Sequence, residues 1–264
     1  MHARAIEKAA TLLCQVRLER ERLVRLPEDC RPDNEAEAYA VQDALHQMLG
    51  TAGYGEIAGR KIGCTTPVMQ QFLGIRNPCA GGVFAPTVQQ ERGSFRHADF
   101  SRAGVECEIA VRLARDLPAS GAPYDRDAAG RAVGAAMAAI EVVDDRYENY
   151  RNLDMPTLIA DDFFNAGCVL GRPVVEWRAL DFAALRGRMA INGREVGSGR
   201  GGDILGHPLE ALAWLANGLS ARGRLLQDGE FVLLGSVVQT VWVQEGDRVE
   251  IEIEGLGRAS AGFH

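Results

Sequence analysis

Two glutamates separated by one residue lie in the run Gly104-Val105-Glu106-Cys107-Glu108-Ile109-Ala110-Val111. Strand side chains alternate, so a β-conformation points Glu106 and Glu108 to the same face. Among apolar neighbours, two adjacent carboxylates repel each other and lose hydration unless a cation sits between them. A hard divalent ion such as Mg²⁺ or Mn²⁺ removes that cost. The alternative is a solvated strand face, and the chain holds an example: Glu250, Glu252 and Glu254 share the spacing and alternate with Val249, Ile251 and Ile253. Glu141 favours the metal reading. It interrupts AAMAAI-E-VV, the most apolar stretch of the chain, where an unpaired carboxylate is costly. A third carboxylate aimed at the first two makes an oxygen-donor site with positions open to water or substrate. Taken alone, Glu141 also fits a strand end, with Asp144, Asp145 and Arg146 in solvent beyond it.

Of the 29 Lys and Arg residues only two are lysines, Lys8 and Lys61. In a chain that uses arginine for nearly every cation, an internal lysine is a candidate for a task arginine cannot do. Lysine is a compact point charge with a tunable pKa, whereas arginine cannot be deprotonated. Chance is the competing explanation. Lys61 lies in Gly-Arg-Lys-Ile-Gly-Cys-Thr, where flanking glycines allow close approach of a backbone or ligand. Lys61 or Arg60 could hold an anionic substrate group. His207, in Leu-Gly-His-Pro, precedes an expected helix start where backbone N–H groups can hold an anion; the plainer reading is local bonding at the helix start. The chain has no P-loop, no G-x-S-x-G and no H-E-x-x-H, and GSGRGG lacks the βαβ setting of a dinucleotide fingerprint.

The elements that must position these groups follow from composition and pattern. The 264 residues are 47% hydrophobic and 25% charged, an ordinary globular mixture with length enough for a substantial core. A net charge of −7 argues against a nucleic-acid partner, which needs a basic stripe. No uncharged apolar run approaches the ~18 residues of a membrane helix, and MHARAIEKAATLL does not read as a secretory signal. The six cysteines, at 14, 30, 64, 79, 107 and 168, form no C-x-x-C and imply reduced thiols in a cytoplasmic protein.

Residues 1 to 26 are expected to be helical. A second helix starts at Asn34, carries Ala38, Val41, Leu45 and Leu49, and ends at Gly50. A short strand is expected near 60–64 and a short helix from Thr66-Pro67 to Gly74. Strands dominate from 81 to 113. Residues 126 to 140 read as an Ala-rich helix running into strand-like IEVVDD. Asn192-Gly193 marks a hairpin, 197–207 a loop, and Pro208 opens a helix with Leu209, Leu212, Leu215 and Leu219 on one face. The tail is strands around Gly246-Asp247. The class is α+β: a helical N-terminal section, 1–80, on a β-rich catalytic unit, 81–264.

Taken in order, GRKIGCT, the E-C-E strand, AAIEVVDDRY, LIADDFFNAGCVLG, LGHPLEALAWLANGL, GEFVLLGS and EGDRVEIEIEGLG resemble the 2-keto-4-pentenoate hydratase / 4-oxalocrotonate decarboxylase family, a branch of the fumarylacetoacetate hydrolase superfamily. The resemblance covers about residue 34 to the end. It implies a mixed β-roll with flanking helices, a homo-oligomer that can associate with a related pathway enzyme, and a Mg²⁺ or Mn²⁺ cofactor on Glu106, Glu108 and Glu141. It implies small 2-oxo acid substrates, 2-hydroxy-2,4-dienoates or their tautomers from aromatic catabolism. Lys61 and Asp161 become catalytic candidates, and Arg60, Thr65, Asn165, His207 and Ser236 substrate-binding candidates. One departure stands out: where hydratases carry Pro-Asp-aromatic-Gly, this chain reads Pro78-Cys79-Ala80-Gly81. Decarboxylase members carry an apolar residue at the Asp position, so hydration and decarboxylation both stay open. An acylpyruvate-type C–C hydrolase and a non-catalytic subunit are the more distant alternatives.

Overall fold

The computed structural model describes residues 1–66, 70, 75 and 77–264. The helix expected between Thr66 and Gly74 falls for the most part outside these. Among the described residues, twelve strands form two sheets, accompanied by five α-helices. No helix among them is long and apolar enough to cross a membrane.

Helix α1 spans Ala3–Glu19, shorter than the expected 1–26. It stops because Arg20 turns left-handed (φ 58°, ψ 35°), after which Leu23 leaves to bridge Tyr147. Helix α2, Glu35–Leu49, starts as expected: Asn34 accepts from the Glu37 N–H at 3.0 Å. Its stripe Ala38, Val41, Leu45 and Leu49 is fully buried, and α1 packs on it through Ala9, Ala10 and Leu13. The chain does not break at Gly50 but widens into a π-turn, Gly50–Tyr54.

The larger sheet has the order β2-β1-β10-β5-β6-β7-β3. Its strands are β1 (Ile57–Gly63), β2 (Cys79–Phe84), β3 (Val88–Gln90), β5 (Ala103–Leu113), β6 (Val133–Asp144), β7 (Asn165–Leu170) and β10 (Phe231–Trp242). It curls until β2 packs against β7. Because β1 lies between β2 and β10, the sheet draws strands from both sides of residue 80. The smaller sheet, β4-β12-β11-β8-β9, comprises β4 (Arg92–Phe95), β8 (Arg186–Ile191), β9 (Arg194–Arg200), β11 (Arg248–Ile253) and β12 (Gly257–Phe263). Val249, Ile251 and Ile253 of β11 face in while Glu250 and Glu254 stay exposed. Asn192 and Gly193 turn the β8–β9 hairpin with positive φ, 53° and 79°.

Two expectations are corrected. Residues 126–140 are not one helix: only α3, Arg126–Arg131, is helical, and Val133–Asp144 is a single strand. An apolar run without polar alternation fits a buried helix and a two-face-buried strand equally, and here β5 and β7 flank it on both edges. The expected loop at 197 onward is strand β9 as far as Arg200. Helix α4 spans Met155–Ala160, and α5, Pro208–Ala221, buries Leu209, Leu212, Leu215 and Leu219.

Strand β5 organises the molecule. Its odd residues Val105, Cys107, Ile109 and Val111 face a core shared with α5 and β11. Its even residues face the inside of the curled sheet, where Ala110 meets Met137, Ala139, Phe231 and Leu233. Glu106 and Glu108 lie on that same inner face.

Candidate metal centre

Three strands deliver the carboxylates and the lysine. Glu106 lies opposite Glu141 across the β5–β6 ladder, and Glu108 opposite Ser236 across β5–β10. One ligand atom from each of Glu106, Glu108 and Glu141 falls within 4.8 Å of the others. Glu108 and Glu141 are buried, at 1% and 0% exposure; Glu106 is half-buried. Lys61, the inward residue of β1, is 2% exposed and places Nζ 3.1 Å from Glu141 Oε1.

Every carboxylate is held from outside the cluster. Asn165 Nδ2 donates to Glu141 Oε1 at 2.9 Å. The Gly235 N–H donates to Glu108 Oε2 at 2.6 Å, and the Thr240 hydroxyl donates to Glu106 Oε1. One atom is left over: Glu141 Oε2 is buried and has no hydrogen-bond partner among the described residues. Burial and the repulsion of Glu141 and Glu106 push the Glu108 carboxyl well above its ordinary range, against the pull of Lys61 and Gly235. Burial also pushes Glu141 up to about 7, although Lys61 pulls it down. Burial opposes the Lys61 ammonium, but Glu141, Glu106, Cys79 and Glu108 outweigh it and raise its pKa. Such a site has excess negative charge at short range, an orphaned oxygen and only hard donors, which is what a Mg²⁺- or Mn²⁺-class ion requires. The residues fit the ion.

The other expected residues divide. Asn165 touches Glu141, and Thr65 is buried beside the centre: a Cβ added at Gly235 would lie 2.3 Å from its Oγ1. Asp161 is committed elsewhere. Its oxygens take Arg17 Nε at 2.8 Å and Arg146 Nε at 3.0 Å, so both are engaged in ion pairs. Arg60 alternates to the face opposite Lys61 and approaches Glu230 at 3.5 Å. His207 caps α5, its Nδ1 accepting from the Leu209 N–H, and stacks on Phe182. Ser236 spends its hydroxyl on the backbone of Cys107 and Val238, where the β5–β10 register shifts.

Cys79 lies near Lys61. A Cβ at Gly63 would stand 3.4 Å from Lys61 Nζ and 3.8 Å from Cys79 Sγ, so both border the space left by that glycine. Burial, with Cys64 as neighbour, pushes the Cys79 thiol well up, keeping it neutral. All six cysteines are free and buried.

Sequence reasoning passed over Gly235, Thr240 and Phe163. A glycine inside the apolar run FVLLGSVV is the signal that could have marked Gly235. Thr240 and Phe163 carry no comparable signal. Phe163 contributes its carbonyl, 3.4 Å from Lys61 Nζ, and its ring, 5.5 Å from the same atom.

Residues 82–263 match the family model described as fumarylacetoacetate (FAA) hydrolase C-terminal. The chain is 34% identical over 258 residues to a protein from Paraburkholderia phymatum named 2-keto-4-pentenoate hydratase, covering 98% of this chain and 97% of that one. It is 34% identical over 242 residues to 2-hydroxyhexa-2,4-dienoate hydratase of Comamonas testosteroni, covering 88% and 89%. Among solved structures, 4-oxalocrotonate decarboxylase from Pseudomonas putida, complexed with magnesium and adipate, superposes with a TM-score of 0.93 at 26% identity, over 100% of this chain and 99% of that one.

Proposed function

The chain belongs to the fumarylacetoacetate hydrolase family, and on that premise we propose that it is a divalent-metal-dependent lyase of 2-hydroxy-2,4-dienoates and their 2-oxo tautomers, working as a 2-keto-4-pentenoate-type hydratase. The observation that carries the metal dependence is the orphaned Glu141 Oε2 within a buried three-carboxylate cluster. The hydratase assignment rests on the relatives that share about a third of the sequence over nearly its whole length.

Glu106, Glu108 and Glu141 would hold the ion. When bound, it supplies Lewis-acid stabilisation of negative charge on the substrate's 2-oxo oxygen. Asn165, Gly235 and Thr240 fix the rotamers of the three carboxylates, so the site is preorganised. Lys61, charged at neutral pH, pairs with the substrate carboxylate or donates a proton to the growing dienolate. Thr65 is buried beside Gly235, and Asn165 donates to Glu141; both belong to the proposed substrate site. Homo-oligomer assembly is part of this proposal, with light scattering as its test.

One observation favours a second reading, decarboxylation of a 2-oxo-3-enedioate. A neutral thiol, Cys79, lies near Lys61 at the position where the resemblance places a hydratase's candidate acid–base Asp. Incubating the Mg²⁺-loaded protein with a panel of 2-oxo acids and reading products by mass separates the readings. Gain of water supports the hydratase, loss of CO₂ the decarboxylase, and two fragments a hydrolase. No metal-dependent conversion of any panel member would overturn the assignment.

A further inference from the structure

The segment entering β7 has an unusual backbone. Asp162, Phe163 and Phe164 are three successive non-glycine residues with positive φ, 52°, 50° and 70°. L-residues adopt this conformation singly and at a cost, so a run of three persists only where the surroundings impose it. The surroundings are visible. Asp162 is fully buried, and three elements converge on its carboxylate: His46 Nε2 of α2 at 2.7 Å, the Gly82 N–H of β2 at 2.8 Å, and Arg17 Nη2 of α1 at 3.0 Å. Burial opposes the Asp162 charge, but His46, Arg17 and Gly82 outweigh it and hold the group well below the usual carboxylate range. β2 presses on the same turn: a Cβ at Gly81 would stand 3.0 Å from the Asp162 carbonyl oxygen.

What the turn presents is the candidate centre. Phe163 turns its carbonyl and ring to Lys61 Nζ, and Asn165, the next residue after the turn, donates to Glu141. We infer that Asp162, clamped by His46 and Arg17, is a positioning residue that holds the left-handed turn and thereby sets Lys61 and Glu141 in register. The helical layer then acts on the centre through this buried carboxylate. This rests on the proposed roles of Lys61 and Glu141 for its catalytic consequence, though not for its geometry.

The chain offers an internal standard for a test that needs no substrate. Its two lysines are Lys8, exposed, and Lys61, buried. Metal-free wild type and Asp162→Asn are treated with an acylating amine reagent, and labelling of Lys61 relative to Lys8 is mapped by mass spectrometry. With the clamp lost, the ratio is expected to rise about tenfold or more. On the Mg²⁺-loaded protein, kcat falls about 10²-fold with KM nearly unchanged, as for a misplaced catalytic group. Leu219→Ala, a cavity in the buried face of α5, is the control for general loosening and leaves the ratio at the wild-type value despite a lower Tm. If Asp162→Asn does not fold, His46→Gln removes one of the three partners and is expected to act in the same direction. A folded Asp162 or His46 variant with the wild-type labelling ratio overturns the inference, as does an equal rise in Leu219→Ala. If the wild type turns over none of the 2-oxo acids, the function proposal fails while the labelling ratio still decides this one.

Discussion

Lys61 at 2% exposure and Glu141 at 0% would each be costly as lone buried charges; 3.1 Å apart they are a pair. Glu106 and Glu108 then leave the cluster with more negative charge than one ammonium offsets. That surplus makes Glu108→Gln informative. The amide keeps the oxygen that accepts from Gly235 and removes a repelling charge. The apo protein is expected to be as stable as wild type or more so, while Mn²⁺ affinity falls roughly 100-fold; calorimetry with Mn²⁺ checks both. Lys61→Arg is expected to lower kcat about 10²-fold, because the fork does not fit a fully enclosed point-charge position. Wild-type turnover in that variant would return Lys61 to a structural cation. At Cys79 the neutral thiol predicts slow hydration of 2-hydroxypenta-2,4-dienoate. Cys79→Asp, near Lys61, is expected to raise kcat about tenfold or more, within the range of general acid–base help. Stopped-flow loss of dienoate absorbance would show it, and an unchanged rate would favour decarboxylation.

At the scale of elements, the centre depends on how β10 crosses β5. The register between them shifts on both sides of Ser236, and Gly235 has φ 133°. That irregularity turns the Gly235 N–H toward Glu108 and leaves room for Thr65. Gly235→Ala would place a Cβ 2.3 Å from Thr65 Oγ1 at a φ that L-residues avoid. A destabilisation of roughly 1–3 kcal/mol is expected from urea unfolding, with weaker Mn²⁺ binding alongside. Loss of stability with metal affinity intact would mean that the bulge supports only the sheet.

For the whole molecule, the cluster links folding to pH and to metal. In the unfolded chain a glutamate titrates near ~4.3. Burial raises both Glu108 and Glu141 in the folded metal-free protein, Glu141 to about 7. Over that window the folded state binds protons that the unfolded state has released, so stability falls as pH rises. The raised Lys61 does not contribute there, since its stabilisation is lost only at alkaline pH. Metal-free protein in chelator is therefore expected to lose several degrees of Tm between pH 5 and about 7.5. Saturating Mg²⁺ should reverse the loss, with the largest gain at the higher pH. A metal-free Tm flat across this range would show that the carboxylates are not held together in solution.

The α2 stripe, the Asn192-Gly193 hairpin, the β11 alternation and the β-face shared by Glu106 and Glu108 are local matters. Period, capping and turn chemistry act over a few residues, so they are legible in a single chain. The same holds for Glu141 as a costly charge in an apolar run and for Lys61 as a rare lysine. What local pattern could not settle is where both faces of an element are covered. β6 as far as Ile140 reads as helix until β5 and β7 are seen on its edges, because alternation disappears when neither face meets water. The partners of single polar groups are likewise tertiary. Nothing near Asp161 in sequence announces Arg17, 144 residues away, or Arg146 as its counter-charges, and nothing near His46 announces Asp162. Long-range ion pairs form where packing brings strands and helices together, and only there is it decided which carboxylates cluster beside Lys61 and which pair with Arg17 and His46.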